Sequence, residues 1–159
     1  MIHPVVNITE REQESLNIDS DGGKSINAIR FFPGKGILVW GARRLAGNDP
    51  EWKYIALKRT VMMIEESIRL ALQPLVFEPN DANTWIRAKS MVVNFLTQLW
   101  KNGALMGNKP EYAFGVKIGF GETMTYQDIL DNRMNMSVLL ALVRPAEFSV
   151  ISFSQKMGS

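Results

Sequence analysis

The sequence predicts an α+β domain: a largely antiparallel sheet with two main helices packed on it and an extended C-terminal arm strand. Three observations lead there. Two β-prone runs flank a glycine-rich turn, two segments follow with apolar residues every three or four positions, and alternating β-prone runs return near the end. The 159 residues, 46% apolar and 21% charged, are about one domain's worth and can bury a core. No repeat of solenoid or propeller length is visible.

Residues 1–25 read as a lead-in or linker, rich in Asn, Asp, Ser and Glu apart from the short stretch Val5-Val6-Asn7-Ile8. Ile26 to Phe32 and Ile37 to Ala42 are rich in Ile, Phe, Val and Trp, and Pro33-Gly34-Lys35-Gly36 between them supplies glycine where positive φ is needed. A hairpin is predicted. Trp52 to Leu57 could add a short strand. From about Lys58, the spacing of Val61, Ile64, Ile68 and Leu72 predicts a helix that Pro74 ends, with Glu65 and Arg69 four apart as an ion pair.

A second helix starts at Asn80 or Asp81, either of which can cap it. Trp85, Ala88, Val92, Phe95, Leu96 and Leu99 form its apolar stripe, and Gly103 and Gly107 end it. Its other face presents Arg87, Asn94, Gln98 and Lys101, polar and net basic. Tyr112 to Ile118 is a predicted strand, Gly119 to Gly121 a turn, and Tyr126 to Leu130 a short helix begun by Thr125. Met134 to Val143 and Phe148 to Phe153 are strand-like. The last alternates Phe148, Val150 and Ser152 with Ser149, Ile151 and Phe153, and both sets contain apolar residues.

Composition excludes much chemistry. With no cysteine there are no disulfides, thiolate metal sites or cysteine nucleophiles, and the single histidine, His3, leaves little for histidine-based catalysis or metal binding. No metal and no cofactor is expected. The longest apolar run, Val138 to Val143, is far shorter than a membrane span, which needs roughly 20 residues. Charge is unevenly placed: residues 1–23 carry Glu10, Glu12, Glu14, Asp19 and Asp21 against Arg11 alone, whereas residues 24–69 are rich in Lys and Arg.

Several small patterns admit two readings. Pro33-Gly34-Lys35-Gly36 could cradle an anion, but the spacing is not that of a phosphate loop and a strand follows. Gly119-Phe120-Gly121 resembles part of a dinucleotide loop without its third glycine. Together these loops support an alternative, a small phosphate-binding or anion-binding enzyme domain. The acidic pairs Glu65-Glu66, Glu78 with Asp81, and Asp128 with Asp131 fit helix surfaces and caps as well as acid–base chemistry. Arg30-Phe31-Phe32 and Trp40-Gly41-Ala42-Arg43-Arg44 interleave bases and aromatics, yet match no nucleic-acid motif.

The strings themselves resemble a known family. The run from Ile26 to Arg43 looks like the opening motif of the C-terminal domain of contractile tail sheath proteins, found in bacteriophages and related contractile injection systems. Four further stretches are similar in the same order. They are Lys58-Arg59 with Ile64 to Ile68, Phe77-Glu78-Pro79-Asn80-Asp81, Phe95-Leu96 with Leu99 to Leu105, and Arg144-Pro145-Ala146-Glu147-Phe148. The likeness covers roughly 26–155; Arg44 stands where the family often has Thr.

The resemblance implies a non-enzymatic structural subunit that stacks as six-membered rings around an inner tube protein and contracts to drive the tube through an envelope. It implies residues 1–25 as a lead-in from a missing upstream domain, 26–146 as the domain and 147–159 as the arm. Phe148, Ser149, Val150, Ile151, Ser152 and Phe153 would form an intersubunit strand whose bonding partners lie on an adjacent copy. Arg87, Asn94, Gln98 and Lys101 would face the tube. Other sheath copies and the tube protein are the expected partners, with no nucleic acid and no membrane insertion. The expected location is a virion tail or a tail-like particle assembled in the bacterial host cytoplasm.

Overall fold

A computed structural model describes residues 4–17, 22–45 and 52–158. His3, Asp19, Asp21 and the 46–51 stretch, on which some sequence readings fall, lie outside the described residues. The backbone divides into two compact units, Met1–Val61 and Met62–Ser159.

In the first unit the lead-in contains a helix, α1 (Glu10–Asn17). Its start is a reciprocal cap. The Thr9 N–H donates to Glu12 Oε2 at 2.8 Å, and the Glu12 N–H donates back to Thr9 Oγ1 at 3.4 Å. The hairpin follows as β1 (Ala28–Phe32) and β2 (Gly36–Trp40), antiparallel with Ala28 opposite Trp40. Gly34 and Gly36 have φ of +75° and +79°, which lets the chain reverse in so few residues. Beyond the hairpin Asn27 acts as a side-chain strand: its Nδ2 donates to the Arg43 carbonyl at 2.8 Å, and the Arg43 N–H donates to its Oδ1 at 3.1 Å.

The predicted strand at Trp52 to Leu57 does not form. Tyr54 makes one antiparallel bridge to Arg43, and α2 (Ile55–Leu72) begins at the next residue. The helical period of Val61, Ile64, Ile68 and Leu72, all at most 2% exposed, overrides the β-prone residues at its start. The α-helix ends at Leu72, two residues before Pro74 as expected, and Pro74 sits at the start of a 3-10 turn, Gln73–Phe77. Arg69 bonds Glu66, at 2.6 Å, instead of the expected Glu65, because the guanidinium reaches both oxygens of the nearer carboxylate.

The second unit holds the sheet and the remaining helices. Asp81 caps α3 (Ala82–Lys101), its Oδ1 accepting from the Thr84 N–H at 2.9 Å. At the other end Gly103, with φ +78°, closes the helix: its N–H donates to the Trp100 carbonyl and that of Ala104 to the Leu99 carbonyl. Ala88, Val92 and Leu96 are fully buried, while Trp85, Phe95 and Leu99 flank them half-buried. One turn of helix, α4 (Pro110–Ala113), replaces the start of the predicted strand at Tyr112.

The sheet order is β3 (Phe114–Ile118), β4 (Arg133–Ala141), β5 (Phe148–Lys156), antiparallel throughout. Register puts Val116, Val138 and Ile151 in one row and Ile118, Met136 and Phe153 in the next, so one sheet face is the core. The helix α5 (Tyr126–Leu130) precedes β4.

Both short caps respond to acid. The Thr125 hydroxyl, and then its backbone N–H, donate to Asp128 and hold its carboxyl below the usual aspartate range. Glu12 is lowered likewise by the Thr9 N–H and hydroxyl. A carboxyl lowered on folding stabilises fully above its unfolded pKa and stops doing so as pH falls through the lower, folded value. We expect the thermal midpoint to fall below about pH 4, the ordinary carboxylate range, and the Asp128→Asn chain to show a smaller fall in a melting series.

Candidate functional site: an open sheet edge and an exposed helix face

The sequence assigned function to two places, and both are in the second unit. Phe148 to Phe153 form the first two thirds of β5. The strand does not wait for a neighbour on both sides. It pairs with β4 from Phe148 opposite Ala141 to Lys156 opposite Arg133, because the alternation that makes it two-faced also matches the core face of β4. Ser149 and Ile151 point into the core, while Val150 is 60% exposed. The expectation that its bonding partners lie only on another copy is therefore corrected: one edge of β5 is satisfied within the chain. Its other edge is the edge of the sheet, and among the described residues no strand pairs with it.

The end of β5 is tied down. Gln155 Nε2 donates to the Leu72 carbonyl at 3.1 Å, the Met157 N–H to the Asn132 carbonyl at 2.7 Å, and the Gly158 N–H to the Val76 carbonyl. The strand thus has an anchored end, a paired edge and an open edge.

Arg87, Asn94, Gln98 and Lys101 are all exposed on α3, opposite Ala88, Val92 and Leu96. Arg87 is not free, since its guanidinium pairs with Glu78 at 2.8 Å. The Phe77-to-Asp81 string is thus explained locally: Glu78 meets Arg87, Asn80 accepts from the Trp85 indole at 2.7 Å, and Asp81 caps.

The hairpin shows a third feature that the sequence reading treated only as alternation. Ile29 opposite Val39 and Phe31 opposite Ile37 form one face. Phe31 is 55% and Val39 69% exposed, an uncovered apolar face.

The loops proposed for an anion spend their amides internally. The Lys35 N–H donates to the Phe32 carbonyl, and those of Glu122, Thr123 and Met124 converge on the Gly119 carbonyl. Neither loop opens a helix of the length an anion site needs. Among the described residues no three His, Asp or Glu side chains converge as metal ligands, and no helix is long and apolar enough to cross a membrane.

Residues 47–156 match the sequence model of the phage tail sheath C-terminal domain. The chain belongs to that family. The match starts downstream of the hairpin strings at 26–43, so it covers four of the five stretches on which the resemblance rested.

Among solved structures, the sheath domain superimposes on a chain of the anti-feeding prophage baseplate with 43% identity and TM-score 0.81. That superposition covers 96% of this chain and 41% of that one. A chain of the sheath complex of the extracellular contractile injection system PVC, in its contracted state, gives 39% identity and TM-score 0.81 over 96% of this chain and 42% of that one. The sheath tail protein of Listeria innocua shares the fold at 13% identity, TM-score 0.75, over 99% of this chain and 36% of that one. The chain therefore spans about two fifths of the length of the proteins it matches. None of the curated proteins matches it significantly. The family is that of a tail sheath domain, and the matched structures include a sheath complex and a sheath tail protein; the sheath domain is a structural module, not an enzyme.

Proposed function

We propose that this sheath domain is the self-associating part of a contractile tail sheath subunit, and that the open edge of β5 is where an adjacent copy adds a strand. The observation that carries the reading is the edge itself: a nine-residue strand, anchored at its end, with one row of backbone groups unpaired among the described residues. Strand addition satisfies such groups at little side-chain cost. The two faces of one subunit that meet in this way are different, so the contact repeats into rings and stacks and does not close on a dimer.

In this reading copies stack as six-membered rings around an inner tube protein, in a virion tail or a tail-like particle assembled in the host cytoplasm. Residues 26–146 are the domain, 147–159 its arm and 1–25 the lead-in from an upstream domain. Contraction is a change of packing between subunits with the added strands as tethers. Arg87, Asn94, Gln98 and Lys101 present a polar, net basic surface to the tube, with Lys101 carrying the charge that Arg87 shares with Glu78 and the Asn94 and Gln98 amides adding polar groups.

Lysines at exposed β5 positions test this. The double variant Val150→Lys, Ser152→Lys puts charge on an edge strand while leaving Ser149 and Ile151 in the core. We expect unchanged circular dichroism, and a sedimentation velocity profile that loses the concentration-dependent species of the parent chain. A variant that associates as the parent does rules out β5 as the joining edge.

A further inference from the structure

The sheet of the second unit ends in two edge strands, and they are built differently. β5 runs nine residues and carries no charged side chain before Lys156. β3 runs only five, Phe114–Ile118, closed in by the helical turn of α4 at one end and by the turn at Gly119 at the other. α3 packs against it. Within those five residues stands Lys117, exposed on the outer face of the sheet in a row with Ser137 and Ser152. Among the described residues no strand pairs with the outer edge of β3 either.

Short length, a helix alongside and a lysine are devices by which proteins keep an edge strand from pairing with a second chain. The charge matters most here. A strand laid beside β3 sets a side chain about 5 Å from Lys117 and strips water from its ammonium group. The edges of a second copy cannot offset that loss. Its β3 brings Lys117 again, and its β5 brings serines, apolar residues, one glutamine and, at the end, Lys156. Neither edge strand holds a carboxylate. Like charges set opposite each other across strands are destabilising.

We infer that Lys117 determines which edge of the sheet a second copy can join: it closes β3 and leaves β5 open. This rests on the self-association reading above and adds direction to it. With both edges open, copies could join edge to edge into a continuous sheet. With β3 guarded, that growth has nowhere to continue.

The test closes β5 first, in the 159-residue chain carrying Val150→Lys and Ser152→Lys. Lys117→Thr then removes the guard with a residue that suits strands, and Lys117→Gln removes the charge while keeping a stem, so one misfolded variant does not decide the outcome. Both should melt with the parent, since position 117 is exposed. Both should regain a concentration-dependent species in sedimentation velocity. The association constant should rise about tenfold or more, the scale for one charge no longer desolvated without a partner. In that species the β3 amides that point away from β4 should exchange with deuterium more slowly. Lys117→Arg, which keeps the charge, should leave the edge closed.

Variants that stay a single species at every concentration, or that associate while the β3 amides exchange as before, overturn the role of Lys117. Lys117→Arg associating as Lys117→Thr does, or both neutral variants melting well below the parent, would also overturn it. If the Val150→Lys, Ser152→Lys chain itself associates as the parent does, the β5 reading falls. Lys117 is then judged in the otherwise unaltered chain, by the same rise in association and the same β3 amides.

Discussion

Ending the chain at Glu147 is expected to unfold the second unit, not merely to prevent assembly. The truncation removes β5, and with it the buried side chains Ile151 and Met157 and the half-buried Phe153. Fully burying a side chain of this size is worth about 1.5–3 kcal/mol, so the apolar loss alone is several kcal/mol. The backbone pairing along all of β4 goes too, leaving Met136 and Val138 facing water on a two-stranded remnant. Against a total stability of about 5–15 kcal/mol, such a loss is near the whole. Near-ultraviolet circular dichroism and proton NMR dispersion should collapse. A truncated chain that melts as cooperatively as the parent, and near its temperature, would show that β5 is an appendage after all. The lysine variants, not the deletion, are for that reason the clean test of assembly.

Leu96→Ala is expected to cost about 2–5 kcal/mol, the range for emptying a fully buried leucine site. Leu96 is fully buried on the face of α3 that packs toward β3, between Val92 and the close of the helix at Gly103. The cost should appear as a lower denaturant midpoint with an unchanged slope. Two residues further along the same helix the expectation reverses. Gln98→Ala, on the exposed face, should change stability by no more than about 0.5 kcal/mol. Equal effects at the two positions would mean that α3 does not separate a core face from a surface as its burial pattern indicates.

Periodicity made the long elements legible. Three-and-four spacing gave both main helices and, at α3, the buried residues and cap almost residue by residue. The hairpin was legible because two glycines must adopt positive φ between β-prone runs. What failed was local preference against tertiary context. Trp52, Tyr54 and Ile55 favour strands, yet Tyr54 makes no more than an isolated bridge to Arg43, and the helical stripe begins too soon for a ladder.

The helix α1 was missed although Thr9-Glu10-Arg11-Glu12 is a capping-box sequence. Its polar composition masked a signal that depends on two residues. For the site, the apolar residues of β5 were legible, but their first use is within the chain. A sequence cannot distinguish a strand that pairs with its own neighbour from one lent outward, since both need the same alternation.

The register between β4 and β5 also governs how the chain bears load. A force applied along β5 meets every rung of its nine-residue ladder simultaneously, as shear, whereas a force across the strand would peel the rungs off in succession. Tied at Gln155 and Gly158 to the end of α2 and the turn behind it, the strand hands that load to the helix. Tension passed lengthwise between joined copies would therefore meet the domain in its most resistant direction.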